Sequence, residues 1–534
     1  MSHARQLCLV LVSTLPFSCH SVERAEPARP AVASDVLAYP SARQDAVVDD
    51  YFGTEVADPY RWLEDPDAPE TRAWVEAENV LTRAWIDAVP EREAIEKRLS
   101  EVWNYERYGV PNEEAGRYFF TRNDGLQNQS VIYVADALDG APRELLDPNG
   151  LSSDGTISVT ATRPSPGAKF LAYALSEAGS DWETIRVRDV ATGKDTGDRV
   201  PWVKFSLIAW SRDAAGFYYS TFPQHDTTGQ VKLEKQELRY HQLGTPASED
   251  RLVYARPEHP EWGFTGYVTA DGELLVIGVS QGTDPRTQVF VQDLRTPNAP
   301  VVELVTGFDA EYDPLEKLGS TLFVKTDLDA PTRRIVAIDL EQPARENWRT
   351  VVPARPGLTL VSALAQGSKL VCAYLEDAHS RVDVFDVRAG THAPVELGGL
   401  GTVSLLTGNP RSSEAFFSLS SFTSPARILR LDVSKASLAA WRTPKVAFEP
   451  ADFVTEQLFA TSQDGTRVPL FVTRKKSLVP NANTPCFLYG YGGFDVSITP
   501  EFSPAMLAWM ERGGVYASAV LRGGGEYGRE WHDA

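Results

Sequence analysis

Two glycine-rich turns carry the residues best suited to chemistry. Tyr489-Gly490-Tyr491-Gly492-Gly493-Phe494 follows an apolar run, and its glycines let the backbone turn sharply and approach a ligand closely. From such a turn Tyr491 can aim its phenol at an oxyanion, supplying a donor where negative charge develops. By spacing alone the signal is weak, and a packed structural tyrosine is the better reading. The second turn, Arg522-Gly523-Gly524-Gly525-Glu526-Tyr527-Gly528, also follows a strand-like run. It matches neither GxxxxGK[ST] nor GxGxxG opening a helix, which speaks against a nucleotide. A loop passing close to other backbone is the better reading. The one Gly-x-Ser-x-Gly, Gly278-Val279-Ser280-Gln281-Gly282, ends a strand-like run among the blade-like repeats and does not open a helix, so no nucleophile elbow is expected. The 8 histidines are scattered. His225, His241, His259, His379, His392 and His532 show no HExxH or other metal-ligand spacing, so each is expected on the surface or in a loop and no metal is expected. Cys372 and Cys486 lie far apart without a CxxC, which predicts neither a disulfide framework nor a zinc site but small buried side chains.

Three textures of sequence must position these turns. From Asp58 to about Trp103 the pattern is helical. Asp67 or Pro69 opens a run in which Trp74, Val75, Ala77, Leu81 and Trp85 recur near a 3.6-residue period, and a second helix is expected over Glu91 to Trp103. After Tyr105, short aromatic and β-branched runs bounded by Gly, Asp, Asn or Pro continue to about Pro450. Examples are Arg117–Thr121, Lys169–Ala174, Gly216–Tyr219 and Leu370–Tyr374. Turns at Ser165-Pro166-Gly167, Ser211-Arg212-Asp213 and Thr269-Ala270-Asp271-Gly272 recur at roughly the spacing of a four-stranded propeller blade, which predicts about seven blades. Strand ends containing Asp189, Asp339, Asp386 and Asp432 are expected to close blades as final strands. Two consecutive β-sandwiches are the competing reading.

From Asp452 the texture changes again. Runs at Gln457–Ala460 and Val468–Val472 flank Asp464-Gly465, a hairpin signal. An apolar run at Cys486–Tyr489, a helical stretch near Pro504–Arg512 and a strand over Gly514–Leu521 then predict the start of a mostly parallel α/β sheet.

The bulk numbers narrow the function classes. With 534 residues, more than one domain is expected. The 73 acidic against 52 basic side chains give a net charge of -21, which argues against binding nucleic acid. Near the N-terminus Arg5, the apolar run Leu7–Leu15 and Ser18-Cys19 have the order of a secretory signal, too short to span a bilayer. Export to the periplasm or medium is therefore expected, with Cys19 a possible lipid-bearing residue. A mis-assigned start on a cytoplasmic protein is the alternative. Residues 22–38, rich in Ala, Pro and Glu, read as a disordered tether, and no other stretch is apolar enough to cross a membrane.

Several motifs together resemble the prolyl oligopeptidase family of serine peptidases. Asp58-Pro59-Tyr60-Arg61-Trp62-Leu63-Glu64-Asp65 with Trp74-Val75-Glu76-Ala77-Glu78-Asn79 is similar to its N-terminal segment. Gly125-Leu126-Gln127-Asn128-Gln129, Leu146-Asp147-Pro148-Asn149, Gly179-Ser180-Asp181-Trp182 and Tyr240-His241-Gln242-Leu243-Gly244-Thr245 are similar to its propeller. Asp464-Gly465-Thr466 and both glycine-rich turns resemble the first part of its hydrolase domain. The resemblance implies a seven-bladed β-propeller over residues 105–450 and an α/β-hydrolase domain built from residues 39–104 and 451–534. It implies a monomeric serine endopeptidase that cleaves short peptides on the carboxyl side of proline through an acyl-enzyme, without a cofactor, the propeller restricting access. Tyr491 matches the oxyanion-hole tyrosine, Phe494 an aromatic wall of the proline pocket, and Phe205 a propeller residue of a more distal subsite. The family's Ser, Asp and His follow later in chain order than Arg522, so the triad is expected to be missing from these 534 residues, leaving a truncated and inactive chain. A non-catalytic propeller scaffold, or an oligopeptidase B-like enzyme cleaving after basic residues, are the alternatives.

Overall fold

The computed structural model describes residues 37–223 and 233–534. Cys8, Cys19, almost all of the expected targeting segment and tether, and His225 lie outside the described residues. Residues up to Glu93 form one compact unit and Ala94–Ala534 a second. The first holds a hairpin of Val48–Tyr51 and Thr54–Ala57 and the helix Pro69–Asp87. Pro69 occupies the first helical position, where its missing N–H costs nothing. Trp62 packs edge-on against Trp74 with ring centroids 6.5 Å apart, and Thr71 Oγ1 donates to Trp62 O at 3.0 Å.

The second unit is built around seven blades between Arg107 and Arg442, the second and third joined into one eight-stranded sheet. That join is a single pairing, Val203 with Thr221. Second strands of the blades alternate onto two buried faces, as in Phe170–Glu177, Leu274–Gln281 and Lys369–Glu376. Apolar clusters fill the gap between each neighbouring pair of blades, for example Val371, Val384, Phe417 and Leu431 between the sixth and seventh. The propeller expectation holds, and the β-sandwich alternative falls. The role given to the aspartate-ended strands is corrected. Glu183–Asp189, Arg334–Asp339, His379–Asp386 and Ser424–Asp432 are third strands, each followed by a fourth. Each terminal carboxylate caps the turn that follows, accepting from Thr192 N, Glu341 N, Arg388 N and Ser434 N respectively.

Blade 1 uses only Arg107–Leu146 and blade 7 only Thr402–Arg442, so no strand is shared where the ring closes. Side chains close it instead. Phe120, Ala135, Ile428 and Trp441 form that junction, with fewer buried side chains than any of the other six. Trp441 stands edge-on to Phe120 at 5.2 Å and donates Nε1–H to Leu138 O at 3.2 Å. Thr407 Oγ1 donates to Pro111 O at 2.8 Å. Trp441→Ala is expected to cost about 3 kcal/mol by leaving a cavity at the thinnest joint of the ring. A lowered thermal midpoint and faster proteolysis would show it.

Antiparallel order puts the turns between second and third strands, and the blade-to-blade connections, at one end of the propeller. The segment after Pro450 packs there. Phe453–Thr461 and Arg467–Lys475 form a hairpin; Val515–Val520 pairs antiparallel with the latter and parallel with Cys486–Tyr491. The helix Pro504–Glu511, capped by Ser503, connects the parallel pair. The helix Arg92–Trp103 packs on the same region through Val102, Leu507 and Met510, and Arg98 grips Glu511 with both Nε and Nη2 at 2.8 and 2.7 Å. Cys372 is buried as expected, whereas Cys486 is exposed because Cys486–Tyr491 is the outermost strand of its sheet.

Candidate active site

Parallel pairing makes Cys486–Tyr491 and Val515–Val520 deliver their following turns to the same end of the sheet. The two glycine-rich turns therefore meet. A Cβ on Gly492 would lie 2.3 Å from Arg522 O, and one on Gly523, at φ +95°, 2.6 Å from Gly492 O. Only glycine permits this mesh. Asp495 N donates to Gly523 O at 3.1 Å, and Ile498 N to Glu526 Oε1 at 2.5 Å. The Glu526 side chain is fully buried, and burial, reinforced by Asp495, raises its pKa despite the opposing bonds from Ile498 N and Trp531. The Arg522 guanidinium reaches Asp464 at 2.5 Å, tying the mesh to the hairpin turn.

On this braced platform Tyr491 is 40% exposed and Phe494 86% exposed. No hydrogen bond involves the Tyr491 hydroxyl among the described residues. Phe494 and Asp495 both adopt left-handed backbone, with φ of +56° and +58°. Phe205 sits in the connection between the second and third blades, also left-handed and 61% exposed. It belongs to a separate aromatic group at the same end of the propeller. Lys204 Nζ lies 5.0 Å from the Phe205 ring and 5.3 Å from that of Trp182, and Trp182 stands edge-on to Trp202 and Phe222 at 5.9 Å each. The motif containing Trp182 was legible in the sequence. Its convergence with Lys204 and Trp202 was not, because those two lie at the end of the strand Asp195–Val203, some twenty residues along the chain.

The sheet segment is anchored to the propeller at three blades. Arg529 N donates to Pro331 O at 3.0 Å, Tyr527 OH to Asp377 Oδ1 at 2.8 Å, and Phe422 joins Phe471, Val520 and Trp531 in one apolar cluster. Burial, then the Asp377 carboxylate, pushes the Tyr527 phenol well above its usual range.

Residues 39–444 match the family described as prolyl oligopeptidase, N-terminal beta-propeller domain. The chain belongs to the prolyl oligopeptidase family. It is 35% identical to the prolyl endopeptidase of Elizabethkingia meningoseptica over 94% of this chain and 70% of that protein. It is 30% identical to a dual function macrocyclase-peptidase of Galerina marginata, over 92% of this chain and 72% of that protein. Among solved structures, one of two prolyl endopeptidases studied for inter-domain dynamics superposes with a TM-score of 0.87 at 35% identity, covering 93% of this chain and 73% of that one. Prolyl oligopeptidase B from Galerina marginata, bound to a 35mer substrate, does so with a TM-score of 0.87 at 30% identity and the same coverage. The β-propeller is thus established in this peptidase family, with a partial hydrolase domain beside it. Among the described residues no helix is long and apolar enough to cross a membrane.

Proposed function

We propose that the chain serves a serine endopeptidase that cleaves short peptides on the carboxyl side of proline. The prolyl endopeptidases it resembles supply the substrate class. The observation that carries the reading is the pairing of an exposed, unbonded Tyr491 hydroxyl with an exposed Phe494 ring on a rigid two-loop mesh. A purely structural tyrosine would be packed or bonded. In this reading a serine gives its proton to a base and attacks the prolyl carbonyl, the scissile C–N bond breaks, the amine leaves with that proton, and an acyl-enzyme remains. Tyr491 donates to the oxyanion of the tetrahedral intermediate, Phe494 stacks on the prolyl ring, and Phe205 meets residues further upstream. The propeller admits small peptides to this face. The one Gly-x-Ser-x-Gly of the 534 residues, Gly278–Gly282, runs out of the propeller strand Leu274–Gln281 and not into a helix as an elbow would, so by themselves they are proposed to lack hydrolysis, which needs the nucleophile and its base. A monomer exported from the cytoplasm completes the proposal, to be checked by sedimentation and by cell fractionation.

A Gly-Pro p-nitroanilide peptide tests the reading. Protein expressed from the full reading frame should release nitroaniline, and the 534-residue polypeptide should not. Peptide binding without hydrolysis by either would favour a propeller scaffold.

A further inference from the structure

Nothing apolar covers Phe494, yet it and Asp495 hold a backbone conformation that costs about 1–2 kcal/mol for each non-glycine residue. Their surroundings must therefore over-determine the turn. From the hydrolase side it is held by the bond from Asp495 N to Gly523 O. From the propeller side the hold is Arg333, whose Nη2 lies 3.1 Å from Asp495 Oδ2. Arg333 stands in the turn between the second and third strands of the fifth blade, itself left-handed at φ +67°, with its side chain only 13% exposed. Its Nε donates to Glu311 Oε2 at 2.7 Å, and its backbone N to Ala330 O at 2.7 Å. Lys325 Nζ lies 3.6 Å from Glu311 and donates to Val361 O of the sixth blade at 3.0 Å. Burial alone would raise the Glu311 pKa, but Lys325 and Arg333 lower it overall, so the carboxylate stays charged. The other oxygen of Asp495 packs against Gly525, where a Cβ would come within 2.6 Å of it. The carboxylate thus has a fixed seat between the two domains.

We propose that Arg333 is a positioning residue that, through Asp495, holds the Phe494 turn from the propeller and so makes the fifth blade part of the support of the proline pocket. The role of the turn rests on the reading of Phe494 given above; the hold itself does not. Two exposed charges would couple weakly, but here Arg333 is largely shielded from solvent and anchored at both ends.

Amide hydrogen exchange over Gly492–Ile498 in the 534-residue protein decides it, with the second blade as internal control. Arg333→Ala should speed exchange there about tenfold while the control stays unchanged. Arg333→Lys should restore part of the protection. Asp495→Asn, which tolerates left-handed backbone and removes only the charge, should reproduce the alanine effect even if Arg333→Ala folds poorly. The double variant should be no faster than either single one. Exchange within twofold of wild type in the folded variants, or single effects that multiply in the double variant, would overturn the proposal. Fluorescently labelled Ala-Gly-Pro-Phe supplies the separate arm. Failure of wild type to bind it would remove the role given to Phe494 and leave the exchange result on Arg333 standing.

Discussion

His241→Ala is expected to destabilise the propeller by about 3–5 kcal/mol, the cost of stranding buried charge. The imidazole is wholly buried between two carboxylates, with Nδ1 2.8 Å from Asp250 Oδ1 and Nε2 3.2 Å from Asp198 Oδ1. Asp198 belongs to the strand Asp195–Val203 of the second blade, and His241 to Glu237–Gln242 of the third. The imidazole therefore bolts two blades that share only one backbone pairing. Tyr219 OH donates to Asp250 Oδ2 at 2.7 Å, and Gly244 N to Asp198 Oδ1 at 2.6 Å. Removing the imidazole leaves both carboxylates buried with neutral partners. Burial by itself lowers the His241 pKa, but Asp250 and Asp198 outweigh it and the net shift is upward from 6.5. A raised folded-state value means that the proton is held more tightly in the native protein. The stabilisation is complete below about pH 6.5 and is lost as pH rises through the folded value. Urea unfolding at several pH values checks both parts: the gap between wild type and His241→Ala should be widest in mild acid and narrow toward alkaline pH. A gap independent of pH, or below about 1 kcal/mol, would contradict a charged bolt.

Tyr491→Phe, in protein from the full reading frame, should lower kcat for a Gly-Pro substrate about 10²–10³-fold with KM little changed. That is the loss of one oxyanion donor, about 2.7–4 kcal/mol. The hydroxyl is the only group removed, and it has no hydrogen bond among the described residues that its loss would break. Stability should therefore stay within about 0.5 kcal/mol of wild type. A kcat unchanged within twofold would refute the oxyanion role, and a large fall in stability would point to structural use of the phenol instead.

The fold was legible where local chemistry repeats. Short aromatic strands between Gly and Asp turns pointed to blades, Asp464-Gly465 to its hairpin, and Pro69 to the helix that begins there. Each aspartate at a strand end was visible too. Its place before rather than after the last strand was not, because a carboxylate capping a turn looks the same in sequence at either boundary. His241, expected on the surface or in a loop, is instead wholly buried, and the structure corrects that expectation. It sits in the strand Glu237–Gln242, and its partners lie 43 and 9 residues away on other elements. The exposure of Cys486 depends on strand order, which no local pattern encodes. Of the site, the Tyr491–Phe494 turn and the Arg522–Gly528 loop were readable from their glycines, including their close backbone passage. Arg333 and Asp377 were not, since left-handed backbone at non-glycine residues leaves no composition signal.

Specificity for proline is tested most directly by a paired assay. Gly-Pro and Gly-Arg p-nitroanilides are compared by kcat/KM with protein from the full reading frame, alongside Phe494→Ala. Cleavage after proline should dominate, and Phe494→Ala should reduce it by about 10–100-fold, the worth of a lost apolar wall of 1–3 kcal/mol. Cleavage after arginine equal to or faster than after proline, or proline cleavage untouched by Phe494→Ala, would contradict the account.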